Sequence, residues 1–199
     1  QHRQALVVLK QLQKLKPKDD EVYGLMGDCY KAVGFIPDAR EAYEKTLEML
    51  ETTPKEALPF AAKLMSIAPG EMPPKINHAE ILQRSGKLEE AAVAWKALAL
   101  ESRRRGNAAD QAIFNERSLR LNEEDLDCLE GAAEARIAMG EPKEALVHIQ
   151  KAYAESPSSE QVLSMLAQCF ELMEQQPKAK KVLLQLAKLH QDANQPVGR

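Results

Sequence analysis

Small and bulky apolar residues recur along the chain at spacings of three and four, with turn-forming residues between the runs. One run reads Gly27, Tyr30, Gly34, Ala39, Tyr43, Leu47, and a second Ala79, Leu82, Gly86, Ala91, Trp95, Leu98. A third reads Ala132, Ala135, Gly140, Ala145, Ile149, Ala152, and a fourth Ala167, Phe170, Glu174, Ala179, Leu183, Leu186. The order repeats: a small residue, a packing residue, a turn, an alanine, then bulky and apolar residues. Spacings of three and four put side chains on one face of a helix. Small residues let a second helix approach, and bulky ones fill the space beside them. Gly34, Gly86 and Gly140 supply the open backbone geometry that ends a helix. The pattern predicts helical hairpins that bury their apolar faces by stacking on their neighbours.

This order, opened by Tyr23-Gly24-Leu25-Met26-Gly27-Asp28-Cys29-Tyr30, resembles the tetratricopeptide-repeat (TPR) family. That family has a period of about 34 residues, a large–Leu–Gly–aromatic first helix and an Ala–Phe–Ala second helix often closed by Pro. Second helices built on Ala5, Ala39, Ala91, Ala145 and Ala179 fit it, and Pro17 and Pro157 stand where the closing proline belongs. The resemblance implies an all-α, right-handed superhelical solenoid of stacked antiparallel helical hairpins with about eleven helices.

The ruler is not uniform. Ala5 to Ala39 and Ala145 to Ala179 are each 34 residues, but Ala39 to Ala91 is 52 and Ala91 to Ala145 is 54. One extra helix with its turn accounts for each excess. The candidates are Glu56–Ala68, bracketed by Pro54 and Pro69-Gly70 with Pro59 in its first turn, and Asn107–Leu121, bracketed by Gly106 and Asn122-Glu123-Glu124. The expected organisation is a single array over residues 1–190. Residues 1–17 are the second helix of a truncated repeat, repeats span 20–53, 72–105, 124–157 and 159–190, and inserted helices span 55–69 and 107–121. Two units thus carry an extra helix. An alternative makes Leu88–Arg105 the second helix of one unit and the first of the next. Residues 191–199 read as a flexible tail or linker. A second helix at Ala5 with no first helix before it implies a piece of a longer protein.

Composition narrows the function. Apolar residues make up 44% of the 199 positions and charged residues 29%, which suits a folded chain. Aromatics are only 5%, so small and aliphatic side chains carry the packing. The net charge of −3 is spread in mixed sign, leaving no basic field for nucleic acid. The run Arg103-Arg104-Arg105 fits a solvated helix end favoured by the macrodipole; a phosphate or acidic-partner contact is the competing reading. No run approaches ~18 uninterrupted apolar residues, so no membrane insertion is expected, and no signal-peptide pattern occurs. Cys29, Cys128 and Cys169 are odd in number, widely spaced and without C-x-x-C, as expected of packed thiols in a cytoplasmic protein.

Candidate chemistry is sparse. His2, His78, His148 and His190 lack metal-ligand spacing, and His78 and His148 read as helix-interface side chains. No phosphate-binding loop or nucleophile elbow occurs. Glu89-Glu90 and Glu123-Glu124 are adjacent pairs that diverge on a helix. Met26, Met65, Met139, Met165 and Met173 read as core filling. The expectation is a non-enzyme with no catalytic residue, no cofactor and no metal.

The TPR resemblance implies that first-helix residues turned away from the second helices line a concave groove. Carried over, these are Glu21, Gly24, Asp28 and Lys31; then Ile76, Glu80, Gln83 and Arg84; then Leu129, Ala133 and Arg136; and last Ser164, Gln168 and Glu171. The implied function is a protein–protein interaction module or scaffold that holds a partner protein or peptide in that groove; plain solvated helix faces are the bland alternative. Some TPR proteins clamp a chaperone's C-terminal carboxylate with Lys, Asn and Arg. Here Gly24 and Asp28, or Ile76 and Glu80, occupy such positions, so a different partner is expected. The alternative function is a structural spacer or oligomerisation segment of a larger signalling or assembly protein, forming homo-oligomers through its repeat ends.

Overall fold

The computed structural model describes residues 1–193. Among them are eleven α-helices and no strand: α1 (His2–Leu15), α2 (Asp20–Val33), α3 (Ile36–Met49), α4 (Pro54–Ile67), α5 (Met72–Arg84), α6 (Leu88–Arg104), α7 (Ala108–Leu119), α8 (Leu126–Ala138), α9 (Pro142–Glu155), α10 (Glu160–Leu172) and α11 (Gln176–Ala193).

Local chemistry sets the helix ends. Asp19, Asn107, Asp125 and Ser159 each precede a helix, and their side chains accept from the backbone N–H of Val22, Asp110, Cys128 and Val162. Each bond satisfies one of the donors a helix start leaves without a partner. Pro37, Pro54, Pro73 and Pro142 occupy the first two helical positions, where no N–H is needed. Gly34 and Gly140 turn the chain out of α2 and α8 at φ 86° and 75°. Glu174 makes the corresponding turn after α10 at φ 59°, with a side chain present. The helix α4 starts at Pro54, earlier than the expected Glu56, so Pro59 lies in its second turn instead of its first. Pro59 therefore leaves the carbonyl of Lys55 without its helical donor. The last helix extends to Ala193, beyond the expected limit at 190, and the rest of the expected tail, 194–199, lies outside the described residues.

The chain divides into two units, residues 1–91 and 92–199, with α6 beginning in the first and continuing in the second. In the first unit α1 packs on α2, α2 on α3, α3 on α4 and α4 on α5. Two glycines of α2 set these approaches. A Cβ on Gly27 would lie 2.5 Å from Cε1 of Tyr43 on α3, and a Cβ on Gly24 would lie 2.5 Å from Cε1 of Phe60 on α4. So α4 lies beside α2. Arg40 of α3 in turn donates to both carboxylate oxygens of Glu71, which precedes α5, at 2.9 and 2.8 Å, so α5 lies beside α3. The expected inserted helix at 55–69 forms as α4, but it is not an extra helix within a three-helix unit: it pairs with α5 in a hairpin stacked on the α2–α3 hairpin.

In the second unit α7 packs on α8, α8 on α9, α9 on α10 and α10 on α11, and α8 also touches α10. Trp95 of α6, fully buried, stacks on Phe114 of α7 at 5.7 Å and 20°. The guanidinium of Arg117 lies 4.5 Å from the Trp95 ring centre. Beyond this pair the core runs through Ala132, Ala145, Ile149 and Val162. Each bulky aliphatic side chain so buried contributes roughly 1.5–3 kcal/mol. Cys128 and Cys169 are buried in the same core, which pushes both thiols up to about 11.

Candidate functional site

In the first unit the α2 and α4 helices present one continuous polar row. Asp28 accepts from the Tyr43 phenol at 2.8 Å and from Lys63 Nζ at 2.8 Å. Burial, then Asp28, pushes the Tyr43 phenol far above its ordinary value. Lys31 donates to Ser66 Oγ at 2.9 Å. Glu21 is exposed and lines an open cleft of about 980 Å³ together with Asp19, Asp20, Glu56 and Phe60. Gly24 lies buried under Phe60. Phe60, Lys63 and Ser66 were missed by sequence reasoning, although Lys63 and Ser66 stand 35 residues from Asp28 and Lys31. One repeat period added to the α2 positions would have found them.

The second expected group needs correction. Ile76, Glu80, Gln83 and Arg84 lie on α5, beside α3, because α4 takes the place next to α2. They do not share the row of Asp28 and Lys31. Arg84 instead donates to the backbone carbonyl of Glu51.

In the second unit Leu129 and Ala133 are 1% and 0% exposed, sealed in the core, and offer nothing to a ligand. Arg136 is half-buried, donating to Glu116 at 2.7 and 3.0 Å and to Glu141 at 2.6 Å. His148 Nε2 lies 3.4 Å from the same Glu116 carboxylate. Burial holds this imidazole below its ordinary value despite the opposing pull of Glu116. Ser164, Gln168 and Glu171 are exposed on α10.

A cleft of about 300 Å³ opens among α6, α7, α8 and α10. Lys96 and Arg103 enter it from α6, Glu130 and Glu134 from α8, and Gln161 from α10. Both cations are engaged. Lys96 donates to Asp125 at 2.9 Å and to Asp127 at 2.8 Å. Its burial disfavours the charge, but the two carboxylates outweigh that and raise its pKa. Arg103 donates to Glu134 at 2.7 Å. Two α7 side chains, both buried, reach the cleft: Gln111 donates to the Gly131 carbonyl at 3.0 Å, whereas the Asn115 amide has no side-chain hydrogen bond among the described residues. Glu130 has no cationic partner among the described residues. Burial, and then Asp127, raises its pKa against the effect of Ser159. Sequence reasoning chose Leu129 and Ala133 of α8 and missed Glu130 and Glu134, one position along. A single position is a rotation of about 100° around a helix.

Among the described residues no group of three or more His, Cys, Asp or Glu side chains is placed to hold a metal ion, and no helix is long and apolar enough to cross a membrane.

Antiparallel helical hairpins packed one on the next within each unit define an α-helical repeat protein. Residues 116–196 match the family model of the tetratricopeptide repeat. Among solved structures, the chain is similar to a putative kinesin light chain of Podosopora anserina with nearly identical TPR-like repeats. The TM-score is 0.51 at 14% identity, over 90% of this chain and 99% of that one. It is also similar to YrrB, a TPR protein with an unusual peptide-binding site, with TM-score 0.48 and 14% identity over 92% of this chain and 93% of that one. A further match is the TPR2AB domain of yeast Sti1 in its pHSP90 complex, with TM-score 0.48 and 14% identity over 98% and 86%. At this identity the first likeness shows the fold. No curated protein matches the chain in sequence.

Proposed function

We propose that this chain is a protein-interaction module that binds a peptide segment of a partner protein in the cleft among α6, α7, α8 and α10. The observation that carries the reading is the Asn115 amide. It is 5% exposed, reaches the cleft, and has no hydrogen-bond partner among the described residues. Its polar atoms are not sealed away, since the buried side-chain atoms without a partner among the described residues are Ser102 Oγ and Gln175 Oε1. An amide that meets solvent at the base of a cleft with no protein partner supports an incoming peptide group that would take the place of water. The exposed α10 residues Ser164, Gln168 and Glu171 extend this surface, and Asp28, Lys31, Lys63 and Ser66 make a second polar surface on the first unit.

The test is to pan a random-decapeptide phage library on the chain and map a recovered peptide by NMR shift perturbation. The expected result is saturable binding that moves Gln111, Asn115 and Gly131. The absence of any binder would overturn the reading. A second reading, as an oligomerisation or spacer segment, is supported by the exposed Val7, Val8 and Leu15 on α1 and Leu183 and Leu184 on α11. Concentration-dependent mass in sedimentation equilibrium, abolished by Val8→Lys or Leu184→Lys, is its expected signature.

A further inference from the structure

The groups of the cleft sort into those already occupied and those still open. Lys96 is held by Asp125 and Asp127, Arg103 by Glu134, and Gln111 by the Gly131 carbonyl. The Asn115 amide remains, and the Glu130 carboxylate, although the Ser159 side chain hydrogen-bonds to it, has no cationic partner among the described residues. An asparagine amide offers N–H donors and a carbonyl acceptor together, which is the complement of a peptide group in an extended backbone. The carboxylates lining the cleft, Asp127, Glu130 and Glu134, outnumber its two cations. An acidic segment would meet this negative field with both cations already engaged. A purely apolar one would cover Glu130 with nothing to answer its charge, which is costly. A cationic side chain answers it with a charge-assisted hydrogen bond.

We infer that the cleft of the second unit selects a peptide segment carrying lysine or arginine, its backbone amide on Asn115 and its cation on Glu130. The inference rests on the peptide-binding reading above. The volume of about 300 Å³ suits a short stretch of chain, at the lower end of the ~300–1,000 Å³ of ligand pockets. The neighbouring Asp127 adds to the attraction, since its charge already opposes ionisation of Glu130 and a bound cation relieves both. Leu100 of α6, which also lines the cleft and is exposed, gives the stem of a long cationic side chain an apolar wall.

The experiment uses fluorescence anisotropy with three pools of otherwise randomised decapeptides, one central position fixed as Lys/Arg, as Glu/Asp or as Leu. The intact chain should prefer the Lys/Arg pool by about tenfold or more. Glu130→Lys should invert that preference towards the Glu/Asp pool. Asn115→Leu should weaken binding of every pool while leaving the melting temperature unchanged or raised, because an apolar side chain of similar size replaces an unbonded amide. A fall in melting temperature with binding retained would assign Asn115 a structural role and overturn the inference. Binding of all three pools with no charge preference, or a preference unmoved by Glu130→Lys, would overturn it and leave the peptide-binding reading standing. Binding of no pool would overturn both.

Discussion

Gly131 of α8 and Asn115 of α7 occupy one space between their helices: a Cβ at position 131 would fall 2.7 Å from the Asn115 side-chain nitrogen. Glycine inside a helix costs about 1 kcal/mol relative to alanine, and here the glycine makes room for an amide that has no other partner among the described residues. Gly131→Ala should gain helix propensity and lose this fit, leaving stability within about 1 kcal/mol of the parent. The amide end of Asn115 is the part free to move. Its side-chain NH2 resonances should shift in an NMR spectrum while the fold is kept. Unmoved resonances would contradict the contact.

The same substitution at Gly27 should behave differently. Its neighbour is the Tyr43 ring, fully buried and tied to Asp28 through the phenol at 2.8 Å. The ring has nowhere to go. Gly27→Ala should destabilise by roughly 1–3 kcal/mol as an overpacked contact, measured by urea denaturation. Gly24→Ala, against the half-buried Phe60, should cost less.

Glu174 holds a left-handed backbone at φ 59° where Gly34 and Gly140 make the corresponding turns. That conformation costs a side-chain-bearing residue roughly 1–2 kcal/mol. Glu174→Gly should raise stability by on the order of 1 kcal/mol, since the penalty removed exceeds the added chain entropy. A lower urea midpoint would contradict this.

His148 gives the second unit an acid-sensitive contact. Burial first, against the opposing pull of Glu116, holds its pKa below the ordinary 6.5; Arg136 and Lys151 push the same way as burial. The unfolded chain therefore takes up a proton that the folded chain resists. The stability this group contributes is fully present above 6.5 and is lost as pH falls from there through the lowered folded value. Urea midpoints compared between pH 7.5 and pH 5.5 should fall less in His148→Gln than in the parent.

The packing of the fold was legible in the sequence because helix–helix contact writes itself as residue size. Ala39, Ala91 and Ala145, chosen as openings of second helices, are fully buried, and Gly34 and Gly140 do turn the chain at positive φ. The rows were harder to read. The run Ala79, Leu82, Gly86, Ala91 has the order of a first helix and its turn, yet its helix lies beside α3. Only the contacts of Phe60 with Gly24 and of Lys63 with Asp28 reveal α4 as the neighbour of α2. The cleft was hidden for another reason. Whether Leu129 or Glu130 faces outward depends on how α8 is rotated between α7, α9 and α10, and periodicity leaves that angle open.

Five of the polar ties between helices have a common reach. Asp28 to Lys63 spans 35 residues, Lys31 to Ser66 35, Arg40 to Glu71 31, Arg103 to Glu134 31 and Tyr153 to Gln185 32. Each donor thus meets its acceptor about one period, ~34 residues, away. A gene encoding such a chain can gain or shed a whole period by unequal recombination and still rejoin the ladder, whereas a deletion of half a period misaligns every rung beyond it. Length can therefore drift in quanta, and a new binding surface can arise by copying an old one before its side chains diverge.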